Sequence, residues 1–125
     1  MYYDQENDLK RLGEMKALAP EDFKAWMNLD QIVGRQDGKV PVKYRQLIAV
    51  AVAHTTQCPY CIEVHTKAAK AAGASKAEVA EAIFVAAAMR SSGAVAHGTM
   101  AMRFYDEGEP AAEVKRKESL LKVGH

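Results

Sequence analysis

Residues 42 to 65 read Val-Lys-Tyr-Arg-Gln-Leu-Ile-Ala-Val-Ala-Val-Ala-His-Thr-Thr-Gln-Cys-Pro-Tyr-Cys-Ile-Glu-Val-His. The run Leu47 to Ala53 is apolar nearly all round, and seven such residues suit a buried strand. The uninterrupted stretch from Pro41 to the cysteines is too long for one, so a buried helix is expected. Pro59 has a φ already suited to the first position of a helix, where its missing N–H is no loss. Cys58 then falls at the N-cap and Cys61 in the first turn. These are the only two cysteines of the chain.

Residues three apart on a helix are neighbours, with Cα atoms roughly 5 Å apart, within reach of a disulfide. The pair can therefore open and close as an intramolecular disulfide with little backbone movement. Two effects favour a thiolate. The free N–H groups of the helix start act most on Cys58. His65, four residues after Cys61 and on the same face, acts most on Cys61. Geometry on the sequence alone leaves open which sulfur benefits. Buried, inert cysteines are the bland alternative. Zinc is the sharper one, since His54, Cys58, Cys61 and His65 are all possible ligands. On one continuous helix that stripe spans about 16 Å, too far for ligands held roughly 2.0–2.3 Å from one ion, so a break at Gln57–Pro59 would be required. A redox dithiol is the main reading. His54 either caps carbonyls in the last turn of its helix or serves the site.

Outward from this stretch the pattern stays helical. Leu9, Leu12, Met15 and Leu18 form one stripe. Pro20-Glu21-Asp22 opens a second helix carrying Phe23, Trp26, Met27, Leu29, Ile32 and Val33, with Trp26 expected in the core. Gly34 to Lys39 is a polar turn. The helix from Pro59 ends at Ala72-Gly73. Ser75 and Glu78 make a capping box for a long helix, with a weak point at Ser91-Ser92-Gly93 and an end near Asp106-Glu107-Gly108. His97 in that helix is either packed or faces the thiols. Pro110 opens a last helix, Ala111 to Val123, anchored by Val114 and Leu121, and Gly124-His125 is expected to be loose. The expectation is one all-α domain over residues 1–125, of five or six helices, with its core in residues 41–104. Residues 79 to 104 carry small apolar side chains on more faces than one chain of this size buries, which argues for a helix-mediated homo-oligomer.

Seventeen basic against sixteen acidic residues give a net charge of +1. With no basic patch, nucleic acid is not an expected partner. No run of eighteen apolar residues exists, so no membrane span is expected. The polar, acidic N-terminus is unlike a signal peptide. A Cys-X-X-Cys without an export signal suits a reducing cytoplasm. No flavin, haem or nucleotide motif is present, so no cofactor is expected and electrons would come from an external dithiol or thiol protein.

The stretch Lys43-Tyr-Arg-Gln-Leu-Ile-Ala-Val-Ala-Val-Ala-His-Thr-Thr-Gln-Cys-Pro-Tyr-Cys-Ile-Glu-Val-His, continuing through Ala71-Ala-Gly-Ala74 and Glu78-Val-Ala-Glu-Ala-Ile83, resembles the alkylhydroperoxidase-D-like branch of the carboxymuconolactone decarboxylase superfamily. The resemblance covers about residues 41 to 104. It implies an all-helical homotrimer or homohexamer with thiol peroxidase or disulfide reductase activity on an organic hydroperoxide. It implies that Cys61 is peroxidatic, that Cys58 resolves the sulfenic acid, and that His65 belongs to a proton relay. The family's relay also uses a Glu where this chain has Gln46, and fully equipped members carry a His where it has Tyr60. An amide cannot exchange a proton, so the relay would run differently, through His54 or His97, or the peroxidase activity would be weak. The decarboxylase branch lacks the cysteine pair, so lactone decarboxylation is not expected. The competing class is a non-enzymatic redox-sensing or metal-binding oligomeric module built on the same residues.

Overall fold

The break between the two helices of the central stretch is made by Gln57, which takes a left-handed backbone (φ 57°) at the end of one helix. The amide of Cys58 then reaches back to the carbonyl of Ala53 at 3.1 Å. The structure, a computed structural model, describes residues 3–108 and 111–123. The elements are α1 (Gln5–Asp8), a 3₁₀ turn (Leu9–Arg11), α2 (Leu12–Leu18), α3 (Pro20–Val33), α4 (Val42–Thr56), α5 (Pro59–Ala71), α6 (Lys76–Tyr105) and α7 (Ala111–Val123). No strand occurs among the described residues. The all-α expectation holds, and the stripe of Leu9, Leu12, Met15 and Leu18 falls on the 3₁₀ turn and α2 rather than on one continuous helix.

The punctuation works locally as its chemistry requires. Pro20 and Pro59 occupy first-turn positions of α3 and α5. Gly73, at φ 96°, ends α5 in a conformation that costs little only for a residue without a Cβ. The capping box closes both ways. The amide of Ser75 donates to Glu78 Oε1 at 2.9 Å, and the amide of Glu78 donates to Ser75 Oγ at 3.0 Å. Glu78 also pairs with Lys43 Nζ at 2.9 Å, tying the start of α6 to the start of α4. Helix α6 runs unbroken through Ser91-Ser92-Gly93. The expected helix start at Pro110 and the loose Gly124-His125 lie outside the described residues, as does the side chain of Val114.

The chain divides into two compact units, residues 1–88 and 89–125. In the first, α4 and α5 form a hairpin whose seam is small. Val50, Ala69 and Ala74 are buried together, with Leu47, Val79 and Ile83 packed against them, and Ala53 and Ala86 are buried as well. Alanine at such positions lets helix backbones approach closely. In the second unit, Lys117 Nζ pairs with Asp106 at 3.2 Å, joining α7 to the end of α6.

Two expectations are corrected. Trp26 is not core: it is 47 % exposed, meets Phe23 edge-on at 5.5 Å, and lines a shallow apolar cavity with Leu12, Met15 and Ala19. Leu18, on the expected apolar stripe, is 85 % exposed. A stripe needs a facing surface, and the first unit does not supply one. Helix α6 also qualifies the membrane expectation, since by length and composition it is long and apolar enough to cross a bilayer.

The seam gives a stability prediction. Val50 is fully buried, so Val50→Ala should cost about 2–3 kcal/mol through lost burial and a residual cavity. Ala69→Leu should cost about 1–3 kcal/mol by forcing α4 and α5 apart. Both should appear as a lower urea midpoint at unchanged slope.

Candidate functional site

Cys58 caps α5, and its sulfur accepts from the amide of Cys61 at 3.4 Å. The two sulfurs are free, hydrogen-bonded to each other and 3.0 Å apart, with both residues half-buried. Their protons are held unequally. The hydrogen bond with Cys61, then the backbone N–H groups of Cys61 and Tyr60, hold the Cys58 thiol below its ordinary value against an opposing burial penalty. Cys61 is pushed up to about 11, first by the bond with Cys58, then by burial, by the charge on Cys58 and by the Asp30 carboxylate. The pair thus releases its first proton from Cys58, and the Cys61 S–H then donates to that thiolate. The Cys61 sulfur is the larger influence on Cys58, and the amides of the helix start add to it.

His65 comes from the middle of α5 and meets Gln46 from the first half of α4, with Nδ1 2.8 Å from Gln46 Oε1. An amide oxygen only accepts, so in this contact the proton lies on His65 Nδ1. Gln46 thus orients the imidazole and selects its tautomer without exchanging a proton. His54 lies in the last turn of α4, and its Nδ1–H donates to the carbonyl of Val50 at 2.7 Å. That is the capping arrangement of its two sequence readings. His97 is exposed on the 89–125 unit.

Gln46 and His65 line a cavity of about 550 Å³, with Asp30, Val33, Ile48 and Val52 among its other walls. Arg45 lines it too, its guanidinium donating to the carbonyls of Val33 at 2.7 Å and Val40 at 2.8 Å. A Cβ at Gly38 would sit 1.9 Å from that guanidinium, so the glycine leaves room for this clamp. Although α4 and α5 are broken at Gln57, the expected zinc alternative finds no support in the ligand geometry. Among the described residues no three His, Cys, Asp or Glu side chains converge, and His54 and His65 are turned to Val50 and Gln46.

Two groups escaped the sequence reading. The first is the N-terminal segment, which lies against the first two turns of α5. Tyr60, between the cysteines, donates to Asp8, and Tyr3 donates to Glu63. The two rings meet edge-on at 4.7 Å. Burial and the Glu63 carboxylate push Tyr3 up to about 12, and the bond to Asp8 raises Tyr60. The second is Asp30, in the last turn of α3. A carboxylate near a helix C-terminus opposes the helix dipole. That mismatch was the available signal.

The model of the carboxymuconolactone decarboxylase family matches residues 20–104. An uncharacterized protein in the cox locus of Paracoccus denitrificans is 45 % identical over 96 residues, covering 77 % of this chain and 86 % of that one. An uncharacterized protein of Cupriavidus necator is 27 % identical over 95 residues, covering 76 % and 80 %. The crystal structure of an apo carboxymuconolactone decarboxylase family protein from Legionella pneumophila is similar at a TM-score of 0.62 and 28 % identity, over 68 % of this chain and 75 % of that one. With the family model covering most of the chain and the same all-α architecture in a solved member, this chain belongs to the carboxymuconolactone decarboxylase family.

Proposed function

We propose that the protein is a thiol-dependent hydroperoxide reductase, a disulfide oxidoreductase that uses Cys58 and Cys61 as a redox pair. The observation that carries this reading is the 3.0 Å approach of two free sulfurs with opposite proton affinities at the start of α5. A pair so arranged is asymmetric, with Cys58 the more acidic thiol and Cys61 the less.

In this mechanism Cys61, on the His65 face of α5, attacks the terminal oxygen of an organic hydroperoxide. Its proton passes to the Cys58 thiolate across the 3.0 Å contact. The O–O bond breaks, and the alkoxide takes a proton from the Nε2 of a protonated His65, whose Nδ1 is held by Gln46. The products are a Cys61 sulfenic acid, a Cys58 thiol and an alcohol. The Cys58 thiol then condenses with the sulfenic acid, forming the disulfide and releasing water. An external dithiol or thiol protein reduces the disulfide by exchange, chemistry that suits a reducing compartment, the cytoplasm. His54 supports the site at a distance by closing the last turn of α4 before the chain enters Cys58. The apolar walls Val33, Ile48 and Val52 suit an organic rather than a charged peroxide. Cysteines poised in this way also suit a stoichiometric redox sensor, and turnover separates the two.

We further propose a homo-oligomer, a homotrimer or homohexamer, with α6 at the contact. Phe84 and Val95 are each 75 % exposed on this long apolar helix, beside Val85 and Met89. Burying them against other copies satisfies what one chain leaves open.

In reduced protein, iodoacetamide should label Cys58 first, with a midpoint below that of an ordinary thiol, and Cys61 should stay unlabelled while Cys58 is unmodified. Peptide mass mapping across pH reads this, and equal labelling would contradict the asymmetry. One equivalent of an organic hydroperoxide should convert wild type to the intramolecular disulfide. Cys58→Ser should trap a sulfenic acid on Cys61, formed on the order of tenfold more slowly for want of the internal base. Thiols inert to peroxide, or a disulfide that no dithiol returns through repeated turnover, would remove the enzyme reading. Finally, Phe84→Glu should lower the sedimentation mass from that of several chains to that of one.

A further inference from the structure

Helix α5 is held from behind by the N-terminal segment, a contact the proposed mechanism has not used. At about 100° per residue, Cys58, Cys61 and His65 share one side of α5, and Tyr60 and Glu63 lie on the other. That other side meets residues 3–8. Tyr60 donates to Asp8 Oδ2, Tyr3 donates to Glu63, and the two rings pack edge-on at 4.7 Å. The two bonds run in opposite directions, so each side supplies one phenol and one carboxylate. Both carboxylates are themselves fixed. The amide of Asp4 donates to the same Asp8 oxygen at 3.2 Å, and Lys67 Nζ pairs with Glu63 at 3.0 Å. Tyr3, Asp4, Gln5 and Asp8 are half-buried, whereas Glu6 and Asn7 are exposed.

The contact reaches the dithiol through the backbone. The N–H that donates to the Cys58 sulfur at 3.4 Å is that of Cys61. It belongs to the peptide plane joining Tyr60 to Cys61, and such a plane moves as one body. The Tyr60 end of that plane is anchored by the phenol–carboxylate bond and the ring contact. Ahead of it Cys58 has an extended backbone, so no earlier helical turn stiffens the start of α5. Resting on the dithiol reading above, we propose that residues 3–8 are a clamp that holds the first turn of α5 in register with the Cys58 sulfur, with Asp8 and Tyr60 as positioning residues of the redox pair. A charge effect would run the other way. Asp8 is negative, so its charge alone disfavours a Cys58 thiolate, whereas its bond to Tyr60 keeps an N–H on that sulfur.

The experiment uses the full chain with Tyr60→Phe, Asp8→Ala and Asp8→Asn, each checked for native helicity. Tyr60→Phe keeps the ring and the net charge. In a Cys61→Ala background, which keeps the amide at position 61 and leaves Cys58 as the one thiol, the pH profile of alkylation by iodoacetamide is measured. Tyr60→Phe and Asp8→Ala should raise the Cys58 midpoint by about half a pH unit, a roughly threefold loss of thiolate at neutral pH. Asp8→Asn, which keeps an oxygen to accept from the phenol and removes the charge, should not raise it. With both cysteines present, Tyr60→Phe should slow disulfide formation by cumene hydroperoxide about threefold, because Cys58 is the internal base. A Cys58 profile unmoved by Tyr60→Phe would overturn the clamp. So would a midpoint that falls alike in Asp8→Ala and Asp8→Asn, the pattern of charge alone. If wild type itself fails to react with the peroxide, the peroxidase reading fails, while the alkylation profile still decides whether the clamp governs Cys58.

Discussion

The close approach of α4 and α5 is the constraint on which the chemistry of this chain rests. Their seam is built from one valine and several alanines, with Val50 and Ala69 fully buried. Small side chains bring the helix backbones near enough for Gln46, early in α4, to reach His65, in the middle of α5, at 2.8 Å. Larger residues would gain buried area and lose that bond. The hairpin therefore trades hydrophobic contact for geometric precision, and the large apolar side chains it does carry, such as Ile48 and Val52, are left exposed, as is Phe84 on α6. A unit with so small a buried core draws limited stability from itself, which is consistent with a chain that completes its burial against other copies.

The electrostatics of the dithiol follow from where α5 starts. Because Cys58 is the cap, its sulfur stands in the field of unpaired amides and receives the N–H of Cys61. Because Cys61 is one turn in, it faces the Cys58 sulfur and is more deeply buried, and both hold its proton. The two thiols of one motif are thereby made unequal, Cys58 the more acidic and Cys61 the less. The same displacement by a single turn puts Cys61 on the face of His65. The helix-start argument thus bears on the acidity of Cys58 and the His65-spacing argument on the position of Cys61, so the two need not compete for one sulfur.

Much of this was legible in the sequence, and what was not has a physical explanation. Helix limits were marked by residues with specific backbone roles: Pro20, Pro59, Gly73 and the Ser75–Glu78 box. The relation of Cys58, Cys61 and His65 is local to one helix, so spacing alone carried it. The contact of Gln46 with His65 joins two helices, and only likeness to a known family pointed to it. Trp26 was misread because periodicity tells which face of a helix is apolar and not what covers that face. Asp30 was overlooked because one acid in a polar-edged helix looks like a solvated charge. The Tyr60–Asp8 and Tyr3–Glu63 bonds span more than fifty residues and leave no trace in any local pattern.

The left-handed residue at Gln57 has a consequence for how this fold can change over time. Each residue added to or removed from a helix end rotates everything beyond it by about 100° and shifts it about 1.5 Å along the axis. An insertion between Thr56 and Pro59 would swing His65 away from Gln46, and a deletion would do the same in the opposite sense. A substitution around the dithiol changes one contact at a time, whereas a change in the length of the two-residue connection dismantles the site. The connection is therefore tolerant of what its side chains are and intolerant of how many residues it holds.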